Sequence, residues 1–179
     1  MAQGRWVQAP TPPEAEALHR PGWPEWLAPL LARRGVRTPE EADRFLHPAL
    51  EHLHDPLDLP DMPAAVERLS AGAASAARVA IVGDYDVDGV SATALLSAVF
   101  RACGLEVEAI LPHRLRDGYG FQPPQVERAV AAGCTIVVTA DCGSPSHGAV
   151  GRALAAGLSV IVTDHPVPGE PLPAGALHV

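Results

Sequence analysis

The second half of the chain carries short apolar runs, separated by longer segments in which apolar residues recur at helical spacing. The runs are rich in β-branched residues, which favour strands. They are RVAIVGD (78–84), LEVEAILP (105–112), CTIVVTAD (134–141) and LSVIVTD (158–164). Strands that alternate with helices form βαβ units, in which helices cover both faces of a parallel sheet. The pattern therefore predicts an α/β fold with a Rossmann-like, three-layer parallel sheet.

Helical segments separate and precede these strands. TPEEADRFLHP (38–48) has a Thr N-cap, a Pro at the first helical position and acidic residues in the first turn. We expect a Pro-rich arm and helical lead-in over residues 1–62, and an incomplete sheet domain over residues 63–179. The other predicted helices are 24–36, 63–76, 90–104, 124–133 and 148–157.

Composition narrows the class of protein. The 179 residues are 47% hydrophobic, and no apolar run approaches the roughly 18 residues of a membrane span. Three cysteines without a CxxC pair suggest reduced thiols, so we expect a cytoplasmic protein that does not enter a membrane. The net charge of −8 disfavours strong nucleic-acid binding by this chain alone. All 13 basic residues are arginine, which excludes lysine-dependent chemistry.

Acidic residues follow three of the predicted strands. Ligands of parallel α/β sheets bind beyond the carboxyl ends of the strands. Carboxylates crowded together repel one another unless a cation lies between them, and oxygen ligands with one imidazole suit Mn²⁺ or Mg²⁺. A single acid could simply cap a helix, as Asp88 could for a helix starting at Gly89. Acids at three strand ends favour a metal site formed by Asp84, Asp86, Asp88, Asp141, Asp164 and His165.

Other sites that use clustered aspartates fit this sequence less well. DYDVDG matches the start of an EF-hand loop, but the twelfth position is Leu95 instead of Glu, and the preceding segment is a predicted strand. An aspartyl-phosphate phosphatase would need a lysine for the phosphate, and the chain has none. The G-x-G-x-x-G of dinucleotide-binding folds is absent after the first strand.

Four motifs occur in order along the chain: GDYDVDG (83–89), LPHRLRDGYGF (111–121), TADCG (139–143) and VTDH (162–165). Together they resemble the DHH phosphoesterase superfamily. Within it, the chain from about Trp23 onward resembles the N-terminal part of RecJ-type single-stranded-DNA exonucleases. The resemblance implies a metal-dependent phosphodiesterase that degrades single-stranded DNA from the 5′ end in DNA repair and recombination, as a monomer.

The resemblance also implies roles for particular residues. Two Mn²⁺ or Mg²⁺ ions, about 3.5–4 Å apart, would bind the scissile phosphate and activate water. Asp141 and His165 would be both catalytic residues and metal ligands. Arg114 would contact a substrate phosphate, because a guanidinium fork suits phosphate oxygens. The remaining metal ligands would be Asp86 and Asp88, with Asp84 in support.

The chain departs from the family pattern in two places. Pro166 stands where the second His of the DHH motif is expected, and the sequence stops at Val179, just as ALHV begins another predicted strand. These departures suggest a truncated or degenerate domain. Three interpretations therefore stay open: an active single-stranded-DNA exonuclease, an inactive DHH domain with at most metal or nucleic-acid binding, and a phosphoesterase for small nucleotides.

Further residues lie within these motifs or just after them. Tyr119 and Phe121 are predicted to pack in the core more readily than to stack on bases. Ser144 and Ser146 have no nearby base, so we predict no nucleophilic serine. His113 has no role that the sequence reveals.

Overall fold

A computed structural model describes residue 7, residues 9–165 and residues 171–179. The chain forms two compact units, Met1–His54 and Asp55–Val179, each of which is considered by itself. The division falls earlier than the predicted boundary after residue 62. The second unit also includes a 3-10 turn, Pro56–Asp58, that packs against its first helix.

The first unit is helical, with α1 (Ala15–Leu18), α2 (Leu27–Arg33), α3 (Pro39–Leu46) and a 3-10 turn at Leu50–His52. The predicted cap of α3 is confirmed: the Thr38 side chain accepts from the backbone N–H of Glu41, and the Glu41 carboxylate accepts from that of Thr38. The helices enclose a small core of Leu18, Ala28, Leu31, Val36 and Ala42.

The second unit contains the predicted parallel sheet. Its strands are β1 (Arg78–Gly83), β2 (Glu106–Ile110), β3 (Ile136–Ala140), β4 (Ser159–Val162) and β5 (Leu177–His178). All neighbouring pairs are parallel, in the order β2-β1-β3-β4-β5. The helices of the unit are α4 (Met62–Ala74), α5 (Val87–Ala102), α6 (Pro123–Ala131) and α7 (His147–Ala155). The predicted α/β class and parallel sheet are confirmed.

Helices cover both faces of the sheet, because successive strand residues point to opposite sides. Val79 and Ile81 of β1 pack on the face that includes residues of α4 and α5. Ala80 and Val82 pack on the other face, with residues of α6 and α7. β1 is therefore buried on both sides, which explains its almost uninterrupted apolar sequence.

The strand order reverses between β1 and β3. The chain leaves β1 to form β2 on one side and returns to form β3 on the other. Such a reversal opens a crevice beyond the carboxyl ends of the two strands, where parallel α/β folds bind ligands. Within the described residues, none of the helices is long and apolar enough to cross a bilayer.

Candidate metal centre

Three strands deliver an aspartate to this crevice. In the pairing of β1 with β3, Gly83 lies opposite Ala140, so Asp84 and Asp141 follow at matching positions. The register of β3 with β4 places Asp164 beside Asp141 in the same way. Adjacent strands lie roughly 4.8 Å apart. The sheet itself therefore brings three carboxylates into one row.

Asp141, Asp164 and His165 form the tightest group in this row. One ligand atom from each lies within 4.8 Å of the others, and His165 Nε2 is 3.2 Å from Asp141 Oδ1. Asp164 is oriented by the backbone N–H of Ser144, which donates to its Oδ2 at 2.9 Å. Asp141 has a left-handed backbone, with φ of 62°. Such a conformation is costly for most residues and is often found at functional sites.

The charges around Asp141 are mostly negative. Burial raises the pKa of its carboxyl group above the usual value, and the negative charge of Asp86 raises it further. His165 counteracts the rise, while Asp88 and Asp164 add to it. A divalent cation would supply the missing positive charge.

Asp84 gives an independent reason to expect a cation. The residue is only 1% exposed, and its Oδ1 has no hydrogen-bond partner among the described residues. A buried carboxylate oxygen without a partner is unfavourable by several kcal/mol in order of magnitude. Oxygen donors together with the His165 imidazole form the kind of ligand set that Mn²⁺ or Mg²⁺ accepts. The residues present therefore fit a divalent metal.

Asp86 and Asp88 lie in the loop and first turn that join β1 to α5. The alternative role of Asp88 as a helix cap does not apply, because α5 begins at Val87 and Asp86 is its N-cap. Asp86 Oδ1 accepts from the backbone N–H groups of Asp88 and Gly89 at 3.1 and 3.0 Å. The cap fixes the orientation of the Asp86 carboxylate, and the positive end of the helix dipole faces the acidic row.

The predicted phosphate contact, Arg114, lies at the rim of this centre. Its guanidinium carbon is 4.8 Å from the ring centroid of Tyr85, the residue between the first two aspartates. The preference for core packing is wrong for Tyr119, which is 54% exposed and contacts Tyr85 edge to face. The same preference is confirmed for Phe121, which is completely buried.

A serine–histidine pair lies next to Asp164. Ser144 Oγ lies 3.1 Å from His178 Nε2, so the expectation that no base lies near Ser144 is wrong. The backbone N–H of His178 donates to Asp61 Oδ2 at 3.0 Å. Ser144 thus contacts both Asp164 and, through His178, β5. Asp164 is a candidate ligand to which the family resemblance assigned no role. In the sequence, the signal that Asp164 could be a ligand is its position directly after a predicted strand.

His113 shapes the turn that carries Arg114. Its Nδ1 accepts from the backbone N–H of Leu115 at 3.2 Å, and Asp117 Oδ2 accepts from the N–H of His113 at 2.7 Å. Asn and Asp side chains stabilise turns in the same way. Pro166, the departure from the DHH motif, lies outside the described residues.

Comparison with known proteins places this site in a family. The model of the DHH family, N-terminal domain, matches residues 78–178, which is more than half of the chain. Single-stranded-DNA-specific exonuclease RecJ of Dickeya dadantii is 41% identical over 90% of this chain, and that of Escherichia coli is 39% identical over 84%. The aligned regions cover 28% and 26% of those proteins, so the chain spans about a quarter of their length.

Solved structures give the same result. A crystal structure of exonuclease RecJ bound to manganese superimposes with a TM-score of 0.63 and 34% identity, over 70% of this chain and 33% of the other. RecJ of Thermus thermophilus in complex with Mn²⁺ superimposes with a TM-score of 0.62 and 30% identity, over 83% of this chain and 20% of the other. The resemblance inferred from the four motifs is confirmed, and the chain belongs to the DHH family.

Proposed function

We propose that this chain carries part of the active site of a metal-dependent phosphodiesterase that degrades single-stranded DNA from its 5′ end. The observation that carries the proposal is the row of Asp84, Asp141 and Asp164 at the strand-order reversal, with His165 at its edge. Its RecJ relatives are single-stranded-DNA-specific exonucleases, and two RecJ structures contain manganese. We extend to this chain their substrate and, with it, a role in DNA repair and recombination.

The side chains of the row are suited to bind and orient a phosphodiester. Asp84, Asp141 and His165 would hold Mn²⁺ or Mg²⁺ together with Asp86 and Asp88, and Asp164 would complete the set. When bound, such ions neutralise the phosphate charge and lower the pKa of water. The cap of α5 and the Ser144 N–H fix two of the carboxylates before the ligand arrives. Arg114 would donate to a phosphate oxygen from the rim.

The cellular location and the oligomeric state of the protein are also proposed. The three cysteines form no disulfide among themselves, which suits a reducing compartment, and we propose a cytoplasmic monomer.

The test is Mn²⁺ titration by calorimetry, followed by nucleotide release from single-stranded DNA. Asp141→Asn should reduce Mn²⁺ affinity on the order of ten-fold or more, because it removes a charged ligand between two others. Glu67→Gln, an exposed change on α4, is the matched control. Equal affinity in the parent chain and Asp141→Asn would contradict the metal assignment.

Pro166 favours a second candidate, an inactive DHH domain that binds metal or nucleic acid at most. Proline has no hydrogen-bond donor, and loss of one donor to a developing charge reduces rates by about 10²–10³-fold. A Pro166→His variant that gains nucleotide release while Mn²⁺ affinity stays constant would support the degenerate site. High activity in the Pro166 form would exclude this candidate.

A further inference from the structure

The side chain of Arg114 has an unusual partner for a cation at the edge of an acidic cluster. Its guanidinium lies over the ring of Tyr85, with 4.8 Å between the guanidinium carbon and the ring centroid. Among the described residues, this ring is the contact that the Arg114 side chain makes. Its neighbours along the chain therefore do not explain where the guanidinium points.

The hydrogen bonds of the turn that carries Arg114 fix the backbone of Arg114 but not its side chain. The backbone N–H of Arg116 donates to the His113 carbonyl at 3.0 Å, and that of Asp117 donates to the same carbonyl at 2.9 Å. The side chains of His113 and Asp117 close the turn as well. Arg114 is exposed at its tip, and a long arginine side chain has many rotamers there.

Tyr85 is held in place. It is half-buried and lies between Asp84 and Asp86, on the tight connection from β1 to α5. Tyr119 contacts it edge to face, with ring centroids 6.2 Å apart and an interplanar angle of 78°. Such aromatic pairs favour this perpendicular geometry.

Tyr119 in turn is within electrostatic range of the acidic row. Burial raises the pKa of its hydroxyl group, and the negative charges of Asp84, Asp164 and Asp141 raise it further. The aromatic pair therefore stands at the border between the acidic row and the turn of Arg114.

We propose that Tyr85 is a positioning residue, which holds the Arg114 guanidinium at the rim of the metal centre and presents its N–H donors to a substrate phosphate. The inference rests on the proposed function, since it assumes that a nucleic-acid phosphate reaches this rim.

The chemistry of the pair explains why an aromatic ring is used. Carboxylates would bind the edge of the guanidinium and occupy the donors that a phosphate needs. An aromatic ring attracts the flat face of the cation instead and leaves the edge free. The ring therefore restrains Arg114 without competing with the substrate for its hydrogen bonds.

The first experiment measures the restraint without DNA. Proton chemical shifts of the Arg114 side chain, assigned in arginine-labelled protein, should show upfield ring-current shifts in the parent chain and in Tyr85→Phe. They should be lost in Tyr85→Leu, which has no ring. Identical Arg114 shifts in the parent chain and Tyr85→Leu would overturn the proposal.

The second experiment measures the consequence for binding. A single-stranded oligothymidylate with phosphorothioate linkages, which slow hydrolysis, is titrated in the presence of Mn²⁺ and followed by fluorescence anisotropy. Tyr85→Leu should bind about three-fold more weakly than the parent chain, and Tyr85→Phe should bind like it. In an Arg114→Gln background, Tyr85→Leu should have no further effect, because its role passes through Arg114.

Three results separate the proposal from its rivals. Equal weakening by Tyr85→Leu with and without Arg114 would mean that Tyr85 contacts DNA itself, and would overturn the positioning role. Loss of Mn²⁺ affinity in Tyr85→Leu would mean that the substitution acts through the neighbouring carboxylates. That result would also overturn the positioning role of Tyr85. A parent chain that shows the ring-current shifts but binds no oligothymidylate would refute the proposed function and the phosphate role, while supporting the anchoring of Arg114 by Tyr85.

Discussion

At the scale of single residues, the burial of Asp84 is unfavourable unless a ligand compensates for it. Its carboxylate is buried at the end of β1, and Oδ1 has no partner among the described residues. We predict that Asp84→Asn raises the free energy of unfolding of the metal-free chain by about 1 kcal/mol, because the neutral amide loses less on burial. The same variant should lose the stabilisation by Mn²⁺.

Urea denaturation with and without Mn²⁺ measures both effects, with Glu67→Gln as the control. A metal-free Asp84→Asn chain that is less stable than its parent would show that the carboxylate is satisfied without metal.

The cysteines provide a second prediction at this scale. Burial raises the pKa of the Cys142 thiol from 9.0 to about 12, and burial also raises the pKa of Cys134. Cys103 is exposed. Since the thiolate is the reactive form, a disulfide reagent at neutral pH should modify one thiol rapidly in the folded chain and all three after denaturation. Cys103→Ser should abolish the rapid phase; a rapid phase that persists would mean that one of the buried thiols is accessible.

The sequence predicts the surroundings of residues that directly follow a strand, because the sheet brings strand ends together, but it does not reveal partners on loops or short strands. Asp84 and Asp141 could be placed at one edge of the sheet because each directly follows a strand-like run. Tyr119 and Ser144 were misjudged because their partners are distant in sequence: Tyr85, and His178 on the two-residue strand β5. No local periodicity records such pairs.

At the scale of elements, the junction of β1 and α5 is the most restricted part of the fold. The sequence predicted both elements but placed the start of α5 too late, because either Asp86 or Asp88 could cap a helix and only the three-dimensional turn selects Asp86. Gly89 packs against the backbone of Asp84: a Cβ added there would lie 2.6 Å from the Asp84 carbonyl oxygen and 2.7 Å from its Cα. A contact this short with backbone atoms cannot be relieved by a side-chain rotation.

We therefore predict that Gly89→Ala destabilises the chain by about 1–3 kcal/mol and weakens Mn²⁺ binding, since Asp84 must move. Gly151→Ala is the matched control within a helix, because nothing lies within 4 Å of its added Cβ. That change should stabilise the chain by about 0.4–1 kcal/mol. Equal effects of the two substitutions on urea denaturation would contradict the close packing at Gly89.

At the scale of the whole molecule, the chain has two units with separate cores. The core of the first unit is a small helical cluster, whereas the second unit has apolar clusters on both faces of its sheet. Small cores stabilise a fold weakly. All three tryptophans, at positions 6, 23 and 26, precede residue 55 in the sequence, and both tyrosines follow it. Tryptophan fluorescence therefore reports on the first unit alone.

We predict that Mn²⁺ raises the unfolding temperature of the second unit and leaves that of the first unchanged. A ligand that binds only the folded state stabilises it by about 2.7 kcal/mol at 100 times its dissociation constant, and every proposed ligand lies in the second unit. Circular dichroism should show a transition that moves upward with Mn²⁺, while the tryptophan transition stays at its metal-free temperature. Asp141→Asn should abolish the shift, and Glu67→Gln should retain it. If both signals moved together by the same amount, the two units would unfold as one cooperative structure; if neither moved, the acidic row would not bind the metal.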